Sequence, residues 1–457
     1  MNIIILGNNQ MGSALAETLA SEANDITVVD TDADKLTELK THIDVGVVVG
    51  QASHPDVLAA AGGEDADMII AVTDSDEINM VACRVAYSMF RTPKKICRLR
   101  SPAYLANEQL FGKRGLAVDL VISPELIVSD YITRLIELPG SLQVLDFASG
   151  KVQLVAVKAY HGGPLVGQEI RLLRQHMPSV DTRVAAIFRK GSPIMPQGST
   201  VIEVDDEVFF VAAKNDIRAV MGELRRLDSP YKRIMIAGGG NIGLRLAQHL
   251  DGDYRVKVIE RNEARCNYIS NRLKHCTVLH GEASQRELLL EENIADTDAF
   301  IAVTNDDEAN IMSSMLAKRL GAGKVMTLFN NAAYVELVQG GEIDVAISPQ
   351  QASIGTLLAH VRRGDVVNVH SLRRGAAEAL EAVAHGDESS SKVIGKRIQD
   401  IALPAGTTIG AIVRDDRVLI AHDKTVVEAE DHVILFLVDR KRIPEVERLF
   451  QVGFSFF

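Results

Sequence analysis

A glycine-rich turn at residues 238–243, GGGNIG, has the spacing of a phosphate-binding loop. It follows the apolar run RIMIA and precedes the helical pattern LRLAQHL, which is the context that a GxGxxG turn requires. Gly238 permits the tight turn, Gly240 lets the backbone approach a pyrophosphate, and Gly243 lets the helix pack against the strand. The spacing predicts a dinucleotide site, and the alternative is a tight strand-to-helix turn without a ligand.

Polar groups beside this turn would complete the site. Asn241 and Ile242 begin the predicted helix, where free N–H groups and the helix dipole attract phosphate. Glu260 ends the next strand, 20 residues after Gly240, where a carboxylate can bind ribose hydroxyls. This position favours a free 2′-hydroxyl over a 2′-phosphate. The neighbouring Arg261 weakens that preference, unless it stacks on adenine.

An earlier turn, LGNNQMG at residues 6–12, has the same pattern with one change. Asparagine replaces the middle glycine, and its side chain would occupy space that a pyrophosphate uses. The alternatives are therefore weaker or shifted nucleotide binding and a purely structural turn. The candidate residues are Gly7, Asn9, Gln10, Met11, Gly12 and, at the end of the second strand, Asp30.

Small residues follow other strands in both halves of the chain. Because ligands lie beyond the carboxyl ends of the strands in doubly wound sheets, we expect these residues to line the cleft around base and ribose. The set comprises Gly50, Ala71, Thr73, Gly281, Ala302 and Thr304. Helix capping is the alternative role of the two threonines, each of which stands three residues before an acid.

Two arginines distinguish the first half from the second. Arg98 and Arg100 lie on one face of the fifth predicted strand, KKICRLRSP, whereas the matching stretch GKVMTLFNN has Thr327 and Phe329. A pair of arginines at the end of a strand would suit additional phosphate charge, from the same or a neighbouring subunit. The alternative is that they pair with nearby acids.

The motifs recur because the chain is a tandem duplication. The glycine turn, the segment GQAS or GEAS and the segment AVTDSDEINM or AVTNDDEANI all reappear 231 positions later. Alternating strands and helices predict the α/β class, with two doubly wound, Rossmann-like parallel-sheet domains at residues 1–137 and 232–362. Strand-rich stretches predict a small mixed α/β domain after each, at residues 138–227 and 363–457.

Two further helices have no evident place against these sheets. They begin at Ser123-Pro124 and Ser348-Pro349, each with a serine cap and a proline in the first turn. In the first, Ile127, Tyr131 and Leu135 form an apolar stripe. We expect these helices to carry subunit contacts, and the alternative is packing within the domain.

Composition limits the classes of function. A net charge of −12 and a pI of about 5.5 argue against nucleic-acid binding. The four cysteines fit no metal pattern, no apolar run approaches the roughly 20 residues of a membrane helix, and the start is typical of a strand rather than a signal peptide. We therefore expect an intracellular protein with reduced thiols. No catalytic constellation is present, so the sequence does not indicate an enzyme; an NAD-dependent oxidoreductase is the alternative.

Each half of the chain contains a glycine turn (GNNQMG or GGGNIG), a GQAS or GEAS segment and an AVTxxDExN motif, followed by a PLVGQ-type segment. This combination resembles the paired RCK domains of the regulators of potassium conductance. The resemblance covers essentially the whole chain and includes the stretches TNDDEANIMSSMLAKR and AVAHGDES. It implies small domains of the RCK-C type and a homotetrameric ring that binds NAD(H), ATP and ADP. It also implies gating of an integral-membrane potassium-translocating subunit from the cytoplasmic side of the inner membrane. A nucleotide sensor without a membrane partner is the alternative.

Overall fold

The computed structural model describes residues 1–22, 24–331, 334, 342–361, 366–372 and 376–452. The predicted domain boundary between residues 362 and 363 lies outside these residues. The chain divides into two compact units, Met1–Ile127 and Val128–Phe457. In the part of the chain that is described, no helix is both long enough and apolar enough to span a membrane.

The first unit is a parallel sheet flanked by helices. Within the described residues the sheet has six strands in the order β3-β2-β1-β4-β5-β6, all paired in parallel. The strands are β1 (Asn2–Leu6), β2 (Asp25–Asp30), β3 (Gly46–Val49), β4 (Met68–Ala71), β5 (Lys94–Arg98) and β6 (Leu120–Ile122). The helices are α1 (Gln10–Ala20), α2 (Ala33–His42), α3 (Pro55–Ala60), α4 (Asp76–Val85), α5 (Pro102–Leu105) and α6 (Pro124–Glu137), the last of which continues beyond Ile127.

The central strands of this sheet are apolar on both faces. Ile5 and Leu6 of β1 and Ile69 and Ile70 of β4 have no exposed surface, as expected where helices cover both sides of a parallel sheet. The strand order reverses between β1 and β4. In an open α/β sheet a ligand lies in the crevice at this point, beyond the carboxyl ends of the strands.

The second unit opens with a small antiparallel sheet in the order β10-β9-β11-β8-β7. Its strands are β7 (Ser141–Phe147), β8 (Val152–Lys158), β9 (Thr182–Arg189), β10 (Ser192–Ile194) and β11 (Glu207–Ala213). Its helices are α7 (Leu173–His176) and α8 (Ile217–Leu224).

A second parallel sheet follows, in the order β14-β13-β12-β15-β16-β17, which repeats the topology of the first. Its strands are β12 (Arg233–Ala237), β13 (Arg255–Glu260), β14 (Thr277–His280), β15 (Ala299–Ala302), β16 (Lys324–Leu328) and β17 (Val345–Ile347). Its described helices are α9 (Asn241–Leu250), α10 (Glu263–Ser270), α11 (Arg286–Glu291), α12 (Asp307–Arg319) and α13 (Pro349–Val361).

The second small sheet has the order β18-β19-β22-β20-β21. Its strands are β18 (Val366–Leu372), β19 (Ala377–Val383), β20 (Thr407–Arg414), β21 (Arg417–Ile420) and β22 (His432–Leu437), and α14 (Ile443–Phe450) follows them. Each parallel sheet is thus followed by an antiparallel one, and the predicted fold class is confirmed.

The two small sheets share one hydrophobic core within the second unit. Phe147 and Phe209 of the first and Leu372 and Phe436 of the second are all at most 2% exposed and belong to one cluster of buried side chains. Backbone groups of one sheet also bond to the other, since the Gln143 side chain donates to the Ser371 carbonyl at 2.8 Å. The second small domain therefore folds against the first.

The alternative to subunit contacts, packing within the chain, is observed for the part of α6 in the second unit. Leu135 is 1% exposed and lies in a hydrophobic core of this chain, and Tyr131 packs against that core. In α13, Leu357 and Leu358 are likewise buried. A carbon atom added to Gly355 would lie 2.6 Å from the Val369 carbonyl oxygen of β18. Packing within the chain is thus present for both helices, and their subunit contacts stay a prediction.

Candidate functional site

The first and last glycines of both turns are required by the fold itself. Gly7 has φ of 105° and Gly238 has φ of 108°, in the left-handed region that favours glycine. A β-carbon on Gly12 would lie 1.9 Å from the Gly7 carbonyl oxygen, and one on Gly243 would lie 1.9 Å from the Gly238 carbonyl oxygen. These four glycines close the strand-to-helix turn, so by themselves they do not indicate a ligand.

The fold does not require glycine at the middle position of the second turn. Gly240 has φ of −64° and ψ of −162°, which other residues adopt freely. Among the described residues, nothing lies within 4 Å of a β-carbon built at this position. Gly240 precedes α9 and offers no side chain to its first N–H groups. The turn therefore presents open space and free N–H groups together, which suits a phosphate group.

Asn9 has nearly the same backbone conformation as Gly240, but its side chain uses the corresponding N–H groups. Its Oδ1 accepts hydrogen bonds from the backbone N–H groups of Met11 and Gly12, each at 3.1 Å. Its Nδ2 donates to the Val72 carbonyl at 2.7 Å and to Asp74 Oδ1 at 3.3 Å. The Asn9 side chain therefore caps α1 itself, and the expectation that it occupies the space of a pyrophosphate stays a prediction.

The remaining turn residues contribute backbone rather than side chains. Met11 is 4% exposed, so only its N–H group faces the turn. Gln10 and Asn241 are the first residues of α1 and α9 and are exposed, whereas Ile242 packs against a hydrophobic core. The sequence assigned all four to the site, and their position at the helix starts is compatible with that.

The two predicted ribose carboxylates bind the turn backbone. Asp30 accepts from the Asn8 N–H group at 2.6 Å, and Glu260 accepts from the Gly239 N–H group at 2.8 Å. The second oxygen of Glu260 accepts from the Asn262 N–H group at 2.9 Å. Each carboxylate is therefore held at the end of its strand, beside the glycine turn.

Two arginines flank Glu260. Arg261 is exposed and directly follows the strand. Arg265, which the sequence analysis missed, donates from Nε to the Gly239 carbonyl at 2.6 Å, and its guanidinium lies 4.7 Å from the centre of the Tyr268 ring. Its position in the helix that follows Glu260 could have identified Arg265 from the sequence. It places positive charge at the second turn.

Thr73 and Thr304 do not cap helices, because Ser75 and Asp306 are the N-caps of α4 and α12. Each threonine hydroxyl instead donates to a buried asparagine six residues later, Asn79 or Asn310, at 2.7 Å. Each asparagine also donates to the carbonyl of the last residue of the next strand. These asparagines were not predicted as site residues, although both copies of the AVTxxDExN motif contain one.

Two glycines that were predicted to line the cleft, and one acid beside them, have mainly structural surroundings. A β-carbon on Gly50 would lie 2.6 Å from Val57 of α3, and one on Gly281 would lie 2.7 Å from Leu288 of α11. Glycine at these positions therefore lets the helix side chains pack against the strand ends. The acid three residues after Thr73, Asp76, accepts from the backbone N–H groups that follow β5. These groups shape the edge of the cleft.

Arg98 and Arg100 lie at the carboxyl end of β5, where both approach Asp74. Arg100 Nη2 is 3.0 Å and Arg98 Nη1 is 3.7 Å from Asp74 Oδ1, and Arg100 Nε is 3.8 Å from Glu125 Oε1. Desolvation, together with the charge of Arg100, lowers the pKa of Arg98. The pairing with local acids that was the alternative is thus present in the structure.

The predicted counterparts of these arginines are wrong by one residue. Ala71 of β4 pairs with Cys97, and its repeat Ala302 pairs with Thr327. Arg98 therefore corresponds to Leu328 rather than to Thr327. By the same register Arg100 corresponds to Asn330. The Arg100 N–H group donates to Asp76, and the Asn330 N–H group donates to the equivalent acid, Asp307. The error arose because the connecting loops differ in length.

The chain matches known protein families over most of its length. The model of the TrkA-N domain matches residues 3–124 and 234–349, and that of the TrkA-C domain matches residues 154–225 and 387–451. The chain is 66% identical over 457 residues to the Trk system potassium uptake protein TrkA of Halomonas elongata, with 100% of both chains covered. It is 63% identical over 452 residues to the protein of the same name from Vibrio alginolyticus, with 99% of both covered.

Solved structures share the fold. The structure of the GsuK RCK domain superimposes with a TM-score of 0.61 at 21% identity and covers 98% of this chain and 94% of that chain. The GsuK channel bound to NAD superimposes with a TM-score of 0.60 at 21% identity and covers 98% of this chain and 78% of that one. These superpositions show that the chain shares the fold of the RCK domain structures.

Proposed function

Because the chain belongs to the TrkA family, we propose that it is the regulatory subunit of a potassium uptake system that binds NAD(H) and adenine nucleotides. Relatives that are 66% and 63% identical along the full chain carry the name of a potassium uptake protein. The proposal assigns the protein a regulatory role without an enzymatic one.

The observation that carries nucleotide binding is the second glycine turn. The fold does not require a glycine at position 240, yet Gly240 leaves open space there. This space lies beside the start of α9, which no side chain caps. The turn at Gly238 and Gly243 would hold the pyrophosphate of NAD(H), and Glu260 would bind a ribose. Arg261 and Arg265 supply positive charge beside it.

The first site is proposed to prefer adenine nucleotides with terminal phosphates, such as ATP and ADP. Asn9 uses the N–H groups that a pyrophosphate would need. Arg98 and Arg100, which the second copy lacks, would instead bind phosphate oxygens at the strand ends. The two sites would therefore differ in ligand, with Asp30, Gly50 and the turn around Gly7 forming the rest of the first.

The nucleotide would act by favouring one conformation of a homotetrameric ring. A ligand changes such an equilibrium only through its different affinities for the two states. A change from a mostly closed to a mostly open ring requires a difference of about 5.5 kcal/mol between the binding free energies of the two states. Equivalent sites in a tetramer can share this difference. The ring would lie on the cytoplasmic side of the inner membrane and would gate an integral-membrane, potassium-translocating partner of the TrkH/TrkG type.

The test combines binding with co-purification. The full chain should bind NAD(H), ATP and ADP by isothermal titration calorimetry, and Gly240→Asn should weaken NAD(H) binding at least tenfold. Gly112→Asn, at an exposed position with ordinary φ, is the matched control and should bind as the wild type does. Hydride transfer with any substrate would favour an oxidoreductase, and failure to co-purify with the membrane partner in mild detergent would favour a free sensor.

A further inference from the structure

We propose that Asp74 is an internal competitor for the terminal phosphate of a nucleotide at the first site. This inference rests on the proposed function, and it assigns a specificity-determining role to a residue that no sequence motif singled out. The carboxylate lies against both arginines and against the side chain that closes the turn. A phosphate group presents the same charge and the same acceptor atoms, so the two would bind to one set of donors.

One oxygen atom of Asp74 accepts hydrogen bonds from Arg100 and Asn9 and lies close to the charge of Arg98. Asp74 Oδ1 lies 3.0 Å from Arg100 Nη2, 3.7 Å from Arg98 Nη1 and 3.3 Å from Asn9 Nδ2. The Asp74 side chain is 72% exposed. Water screens the charge of this exposed carboxylate, so its ion pairs with the arginines are weak. A more highly charged anion can replace it at low cost.

Arg98 is incompletely paired in this arrangement. Its side chain is 12% exposed, and its buried Nε has no hydrogen-bond partner among the described residues. The charge of a largely buried guanidinium is costly unless an anion lies close to it. The carboxylate at 3.7 Å compensates that charge only weakly, so a closer anion would complete the site.

Asp74 also links the arginines to the turn. The Asn9 amide donates to Asp74 and to the Val72 carbonyl, and its oxygen accepts from the first N–H groups of α1. A phosphate that binds Arg98 and Arg100 displaces the Asp74 carboxylate. Asn9 then loses its hydrogen bond to Asp74, one of the bonds that hold its side chain over the turn. Binding of a terminal phosphate therefore loosens the group that covers the helix start.

The second copy lacks every part of this arrangement. Asn305 follows Thr304 where Asp74 follows Thr73, and Gly240 stands where Asn9 does. Leu328 and Asn330 occupy the positions of the arginines. The Asp74 carboxylate thus occurs only in the copy that has the two arginines. This is expected if it sets the selectivity of the arginines among nucleotides.

The test measures binding of ATP, ADP and NAD(H) by calorimetry, using the full chain with Gly240→Asn to silence the second site. Asp74→Asn should tighten ATP binding about three- to tenfold, with a smaller gain for ADP and the smallest for NAD(H). Glu77→Gln removes the same charge three residues further on, in the first turn of α4. That carboxylate accepts from Ser75 and Tyr104 rather than from the arginines, so the gain should stay below twofold.

A double-mutant cycle separates competition from simple repulsion. With Arg98→Ala and Arg100→Ala in place, Asp74→Asn should no longer tighten ATP binding; an equal gain in that background would overturn the proposal. Equal effects of Asp74→Asn and Glu77→Gln would also overturn it, while the proposed function would stand. If neither the wild type nor any variant binds a nucleotide, the proposed function fails and this inference fails with it.

Discussion

Replacement of Asn9 by glycine is expected to lower the stability of the first unit and to raise its affinity for dinucleotides. The substitution leaves the backbone free to keep its conformation, because φ of −82° and ψ of 179° suit glycine as well. It removes the side chain that now bonds to the N–H groups of Met11 and Gly12. These groups then become available to phosphate oxygens.

The magnitude follows from the bonds that are lost and gained. Replacement of an asparagine cap by glycine costs a few tenths of a kcal/mol. Loss of the 2.7 Å bond to the Val72 carbonyl costs about 1 kcal/mol, and the greater freedom of glycine in the unfolded chain adds about 0.5 kcal/mol. The free energy of unfolding should fall by about 1–2 kcal/mol. Two N–H groups free to bind an anion should tighten NAD(H) binding about five- to thirtyfold.

Two measurements on Asn9→Gly decide the matter. Urea unfolding gives the loss of stability, and calorimetry with NAD(H), in a chain whose second site carries Gly240→Asn, gives the affinity of the first. Lower stability with unchanged affinity would show that the Asn9 side chain does not obstruct the ligand. Unchanged stability would show that the capping bonds contribute nothing.

Three other predictions concern the second unit. Gly240→Asn should abolish high-affinity NAD(H) binding while keeping or slightly raising stability, since asparagine is a good N-cap; a fall in melting temperature would contradict this. Gly243→Ala should destabilise by about 3 kcal/mol or more, because its β-carbon would lie 1.9 Å from the Gly238 carbonyl oxygen, and near-wild-type urea unfolding would refute the packing argument. Desolvation lowers the pKa of His370 to about 4 from its ordinary 6.5, so stability should fall as pH drops from about 6.5 to about 4, where only the unfolded chain takes up the proton. His370→Leu should flatten the pH dependence in that window, and an unchanged slope would assign it to another group.

The duplication, the strand-and-helix alternation and the two glycine turns could be read from the sequence. Each is a local property: a glycine with positive φ, an apolar strand or a helix start is recognised from neighbouring residues. The structural roles of Gly238 and Gly243 in the turn were therefore predicted correctly, whereas competition between the Asn9 side chain and a pyrophosphate stays a prediction. The family resemblance rested on the same local motifs.

The tertiary structure alone decided which distant groups meet. Asp74 approaches Arg98 and Arg100 because β4 and β5 are neighbours in the sheet, and the register of that pair corrected the counterparts of the arginines. Leu135, in the apolar stripe of α6, is buried in a core of the second unit that includes elements following it in the chain. Such contacts depend on strand order, register and loop length, and no pattern of neighbouring residues specifies them.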